Sequence, residues 1–144
     1  MTADLPALRR REDWQERLLE TISRCRNVAF RWGVHDCASF TARCVQAMTG
    51  EDLLVPYRAD MNDLRSIAKR LHREGHRNLL GVVQAGLGES IQPAMARRGD
   101  IAMFRAGRWW SVGVCVGRDV VTAAKPFGVA AVALEQADHA WRIG

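Results

Sequence analysis

The hydrophobic period of this chain changes once, near Gly88, and that change restricts the fold more than any other feature. Before it, apolar residues recur every three or four positions: Trp14, Leu18, Leu19 and Ile22, then Ala38, Phe40, Cys44, Val45 and Met48. Leu64, Ile67, Ala68 and Leu71 follow, then Leu79, Leu80, Val82, Val83 and Leu87. This spacing places each set on one face of a helix. After Gly88 the chain reads as short strands separated by turn residues at Gly99-Asp100, Ala106-Gly107, Gly117-Arg118-Asp119 and Pro126-Phe127-Gly128. The spacing predicts helices over 14–26, 38–49, from Asp60 or Asn62 to near Gly75, and 78–87. It predicts strands over 101–105, 108–116, 120–123 and 129–134, with 140–143 as a last edge strand. Helices followed by closely spaced strands give an α+β domain with an antiparallel sheet.

The ends of these segments carry their own chemistry. Asp13 and Glu16 resemble a capping box ahead of the first helix. Asp36 is placed to cap the second helix, because its carboxylate can accept a first-turn backbone N–H. Gly50 fits the C-terminal cap of that helix. Residues 1–12, with Pro6 and the run Arg9-Arg10-Arg11, have no period and read as a loose N-terminal arm. The domain proper is then 13–144. Tyr57, the single tyrosine, closes a loop over 51–57 that either overhangs the second helix or packs its ring beneath the loop.

At 144 residues the chain supports one domain with one core. Its 48% hydrophobic and 26% charged content is that of a water-soluble globular protein. No apolar run reaches the length of a membrane span, and residues 1–12 lack the apolar core of a signal peptide. The net charge of +5 is spread along the chain. It suits an acidic partner or a polyanionic cell-wall polymer, while no motif interleaves aromatic and basic residues as nucleic-acid binding requires. Cys25, Cys37, Cys44 and Cys115 show no C-x-x-C spacing. Neither a metal site nor a disulfide framework is expected, and no cofactor is implied.

The chemistry concentrates in Phe30-Arg31-Trp32-Gly33-Val34-His35-Asp36-Cys37. Gly33 gives a turn, Asp36 a cap, and Cys37 the first helical position. Unpaired N–H groups and the positive end of the helix dipole favour an anion there, so the thiol pKa is expected to fall. A thiolate in that place is a nucleophile. The same pattern also describes a small buried cysteine beside a capped helix.

This order of elements resembles the NlpC-like cysteine peptidases, a papain-like family that cleaves peptidoglycan stem peptides. The likeness rests on Phe30-Arg31-Trp32-Gly33 leading into Asp36-Cys37, on Gly99-Asp100-Ile101 opening the first strand, and on Ser111-Val112-Gly113-Val114-Cys115-Val116-Gly117. It is closest in character to the small members encoded in tailed-phage and prophage tail modules. Those resemble this chain in the Trp-Gly-x-His-Asp-Cys phrase, in Met48-Thr49-Gly50-Glu51-Asp52 and in the ending Ala140-Trp141-Arg142-Ile143. The resemblance implies a papain-like NlpC-type fold over 13–144, with Cys37 as nucleophile and Trp32, Gly33 and Asp36 framing it. At the position of the family's histidine stands Ser111, and at its third polar position Thr122. Serine does not titrate near neutral pH and cannot supply the acid–base role.

Two functions follow. In one, the chain is a tail-tip component of a phage or phage-like particle, resident in the virion tail. Its incomplete site then serves as a docking surface for tail-hub proteins or the cell wall, and the arginine-bearing arm meets the hub. In the other, it is a working hydrolase of peptidoglycan peptides as the particle enters a cell. Cys37 attacks, the Cys37 N–H stabilises the oxyanion and His35 acts as a substitute base.

Overall fold

The computed structural model describes residues 8–60, 64–73, 75 and 78–144. Four α-helices lie among them: α1 (Trp14–Cys25), α2 (Cys37–Thr49), α3 (Leu64–Arg73) and α4 (Leu79–Leu87). Five strands follow: β1 (Ile101–Ala106), β2 (Trp109–Cys115), β3 (Asp119–Ala123), β4 (Val129–Ala133) and β5 (His139–Trp141). They form one antiparallel sheet in the order β4-β3-β2-β1-β5. The expected α+β class is therefore observed, with the C-terminal segment on the sheet edge beside β1. Expected starts of α3 at Asn62, and the side chain of His76, lie outside the described residues, as do residues 1–7.

Helix α2 lies between α1 and the sheet. Phe40, Cys44 and Met48 repeat every four residues, so they share one stripe, and all three are fully buried. They meet Leu18 and Cys25 from α1, Ile101, Met103, Val112, Val114, Val121 and Trp141 from the sheet, and Ile143 just beyond it. Burying a side chain such as Phe40 contributes about 1.5–3 kcal/mol. The opposite face of the sheet holds a smaller cluster of Ala102, Phe104, Val120 and Ala140, covered by Ile91, Val132 and Leu134. Alternation along β1 sends Ile101 and Met103 to one face and Ala102 and Phe104 to the other.

Four details depart from the sequence reading. The described part of the arm is docked rather than loose. The Arg11 N–H donates to the Met48 carbonyl at 2.7 Å. The Arg10 guanidinium reaches the Ile143 carbonyl (2.6 Å), the Arg98 carbonyl (2.9 Å) and Asp100 Oδ1 (2.9 Å). Asp13 makes no side-chain cap on α1. Its carboxylate accepts from Arg17 Nε at 2.8 Å instead, and that hydrogen bond holds its pKa below the ordinary value. Residues 91–98 form no sheet strand: Ile91 makes a single bridge to Ala140, and Pro93–Met95 turns as a 3₁₀ helix. The loop from 51 ends in a 3₁₀ segment, Val55–Asp60. Tyr57, half-buried in that segment, carries the Arg70 guanidinium over its ring at 5.1 Å. No helix among the described residues is long and apolar enough to cross a membrane.

Candidate active site

Asp36 builds the approach to α2. Arg31 and His35 exchange two main-chain hydrogen bonds, Arg31 N–H to the His35 carbonyl at 3.1 Å and His35 N–H to the Arg31 carbonyl at 2.8 Å. The turn between them passes through Gly33 at φ 79°, in the left-handed region that favours glycine. The Gly33 N–H donates to Asp36 Oδ2 at 2.7 Å, and the Ser39 N–H donates to Asp36 Oδ1 at 2.7 Å. One carboxylate thus caps the helix and closes the turn before it. A side-chain cap of this kind contributes about 1 kcal/mol. Gly50 ends α2 at φ 85°, and its N–H donates to the Gln46 carbonyl at 2.7 Å. Both expected caps of α2 are present.

Cys37 stands at the first position of α2, partly buried, with its thiol free. Burial pushes its pKa up from the ordinary value, against the expectation of a depressed one. The main chain of Val112 acts in the opposite sense, the Asp36 charge raises the pKa further, and the Ser111 hydroxyl and the Ala38 main chain lower it. The main chain of Val112 and Ala38 and the Ser111 hydroxyl therefore stand close enough to the sulfur to favour a thiolate. The helix end alone was expected to dominate. Desolvation outweighs it, and the carboxylate that caps the helix works against ionisation from the adjacent residue.

Ser111, which the resemblance sets at the family's histidine position, is thus among the groups that act on the Cys37 thiol. Thr122 is not aimed at a side chain: its Oγ1 donates to the Val112 carbonyl at 2.8 Å. The sheet explains this contact. The β2–β3 ladder pairs Val114 with Val121 and Cys115 with Val120, and it extends no further up β2. The polar groups of Val112 are left without a β3 partner, and a buried backbone group needs one. Thr122 satisfies the carbonyl. Gly113 allows the crossing, because a Cβ there would lie 2.4 Å from the Val121 carbonyl oxygen.

His35 is fully buried, and its Nε2–H donates to the Gly128 carbonyl at 2.8 Å. Its Nδ1 has no hydrogen-bond partner, so the ring makes no hydrogen bond to the sulfur. It packs edge-on against Phe40 and ties the turn to the β3–β4 hairpin. The other described histidines lie elsewhere. His139 on β5 packs against Trp110 (5.3 Å) and Trp141 (6.0 Å), and His72 is exposed on α3. Trp32 borders the turn at the surface with its ring edge-on to Phe30 at 5.1 Å, and Lys125 Nζ lies over both rings at 4.8 and 5.5 Å. Trp109 is exposed while its neighbour Trp110 is half-buried, the alternation expected of adjacent strand residues.

The arrangement places hydrogen-bond donors around a neutral thiol. Those donors can steady negative charge on sulfur, but none can take up a proton near neutral pH. The sequence did not single out Val112 or Gly128, because both act through main-chain atoms. The one signal for Val112 was the glycine after it, in the middle of a strand, where glycine marks a close approach. Among the described residues no three His, Cys, Asp or Glu side chains converge as a metal site would require.

The model of one family, described as a domain of unknown function (DUF6950), matches residues 9–143. The match takes in Arg10 and Arg11, so the docked arm belongs to the family's domain. No curated protein matches the chain.

The chain belongs to the DUF6950 family.

Proposed function

We propose that this DUF6950 member is a papain-like, NlpC-type domain whose hydrolytic site is silent, acting as a docking component in the tail tip of a phage or phage-like particle. One observation carries the silent site: the group that acts on the Cys37 thiol from β2 is the Ser111 hydroxyl and not an imidazole, and burial pushes the thiol pKa up. A protonated thiol is a poor nucleophile. Without a titrating partner the leaving amine receives no proton, a loss of about 10²–10⁴-fold in rate. The tail-tip assignment rests on the sequence resemblance of the Trp32-Gly33 to Cys37 phrase and the 140–143 ending to small phage-tail members of the NlpC-like group. Its partners are then tail-hub proteins, with the cell wall as the surface the tip meets. Arg10 is bound within the domain, so hub contact falls to other residues.

A defined muropeptide assay tests the chemistry. Wild type and Cys37→Ala are expected to release no product. Turnover by wild type that Cys37→Ala abolishes would overturn the silent site, and its further loss in His139→Ala would identify His139 as the base. Particles purified from a producing cell test the location. The chain is expected among their tail proteins, and its absence from particles would overturn the assignment.

A further inference from the structure

We propose that the groove between α1 and α2, on the side away from the sheet, binds a small ligand carrying two or more phosphate charges. This goes beyond the docking role and does not depend on Cys37. The groove is an open cleft of about 440 Å³ lined by Arg11, Thr21, Arg24, Cys25, Arg43, Gln46, Ala47 and Gly50. That volume suits a small-molecule ligand.

The lining follows from helical spacing. Thr21, Arg24 and Cys25 lie at i, i+3 and i+4 on α1, and Arg43, Gln46, Ala47 and Gly50 at i, i+3, i+4 and i+7 along α2 and its cap. Each set forms one stripe, and the two stripes face each other across the helix pair. Arg11 closes the end, where residues 8–12 cross the C-terminus of α2 and the Arg11 N–H is held by Met48. Gly50 makes the room: a Cβ there would lie 2.7 Å from Arg11 Nη2. Cys25 and Ala47 give a small floor that leaves the cavity open.

Among the described residues, three guanidinium groups line this space and no carboxylate does. Arg24 is paired with Glu20 on the exposed side of α1. Arg43 Nη2 donates to the Val34 carbonyl at 3.2 Å, and Arg11 Nη1 reaches the Ala47 carbonyl at 3.5 Å. These bonds orient the side chains, and each guanidinium has five N–H donors in a planar fork. All three arginines are solvent-exposed, so water and salt screen their mutual repulsion, and an anion seated between them meets positive charge from three sides. Arg11 and Arg43, which pair with no carboxylate among the described residues, match a dianion, with Arg24 as a third donor. A guanidinium fork pairs with phosphate oxygens two at a time, and two linked phosphates span the groove better than a single one.

Calorimetric titration at low ionic strength with inorganic pyrophosphate tests the proposal, with inorganic phosphate and citrate as comparison ions. Pyrophosphate is expected to bind one to one, at least about tenfold tighter than phosphate or citrate. Arg43→Gln and Arg24→Gln are each expected to weaken it by about tenfold or more, while Arg73→Gln on α3 leaves it unchanged. Arg43→Lys keeps the charge without the fork and is expected to fall between wild type and Arg43→Gln. Circular dichroism confirms that each variant is folded, and the wild-type comparison of three ions needs no variant. Absence of saturable binding, equal binding by Arg24→Gln and Arg73→Gln, or citrate binding as tightly as pyrophosphate would each overturn the proposal.

Discussion

Asp36 and Asp100 are both buried, at 2% and 1% exposure, and each accepts two main-chain N–H groups. Around Asp100 every link is a clasp. Oδ2 takes the Arg97 N–H at 2.9 Å, and Oδ1 takes the Ile143 N–H at 3.1 Å and Arg10 Nη2 at 2.9 Å. Arg10 also bonds the Ile143 carbonyl, so one ion pair joins the arm, the start of β1 and the end of the chain. Asp36 has no such cation among its hydrogen bonds. Near it, the three buried side-chain polar atoms without a hydrogen-bond partner among the described residues are His35 Nδ1, Ser39 Oγ and Thr41 Oγ1. All fall within seven consecutive residues around Cys37. Leaving a buried polar group unpaired costs about 1–3 kcal/mol. The clasp thus pairs its buried carboxylate fully, while the Cys37 region keeps unpaired polarity.

The largest expected effect tests the clasp. Asp100→Ala leaves the Arg10 guanidinium and two N–H groups without their acceptor, and breaking a buried pair in this way costs about 3–5 kcal/mol. Asp36→Ala loses a cap and a turn bond but strands no cation, so it should cost about 1–2 kcal/mol. Urea unfolding of the two variants measures both. An equal or larger loss in Asp36→Ala would break the comparison.

Gly113→Ala sharpens it from the sheet side. The added Cβ meets the Val121 carbonyl, and overpacking of this kind costs about 1–3 kcal/mol. The strain falls where β2 and β3 part, so the same unfolding experiment should be joined by slower alkylation of Cys37 as the Val112 main chain, which favours the thiolate, moves away. Unchanged stability and unchanged alkylation would remove the account of the parted ladder.

Protons give a smaller and graded effect. Burial raises the thiol pKa of Cys37, Cys44 and Cys115 above the ordinary 9.0. The unfolded thiols ionise near that value while the folded ones stay neutral. The stability they contribute is fully present below pH 9 and is lost as pH rises toward the folded values. Each neutral thiol removes up to about 1.4 kcal/mol per pH unit in that window. Unfolding free energy followed upward from neutral pH should decline above 9, and more shallowly in Cys37→Ala. A rise in stability over that range would contradict the sign.

The fold was legible wherever its causes are local. The period of apolar residues located α1, α2 and α4 and the five strands to within a few residues, and Gly33, Asp36 and Gly50 announced the turn and caps of α2. Asp13 misled because its carboxylate had a competing partner one turn away in Arg17. The Asp100 clasp was illegible because Arg10 lies 90 positions from its partner and nothing local distinguishes it from Arg9 or Arg11. At the site, a link between Cys37 and Ser111 was implied only by the family resemblance, since no local pattern joins residues so far apart in the chain. The direction of the thiol shift was not legible, because a cap and a dipole can be read from neighbouring residues whereas desolvation depends on what the whole sheet places over the sulfur.

Alkylation of Cys37 as a function of pH, read by peptide mass mapping to separate it from the three more deeply buried cysteines, tests the central claim most directly. The account predicts a reaction that is slow at neutral pH and rises only above 9, with Ser111→His moving the rise to lower pH by supplying an imidazole beside the sulfur. Rapid alkylation of wild type at pH 7, with a titration below that of an ordinary thiol, would contradict it.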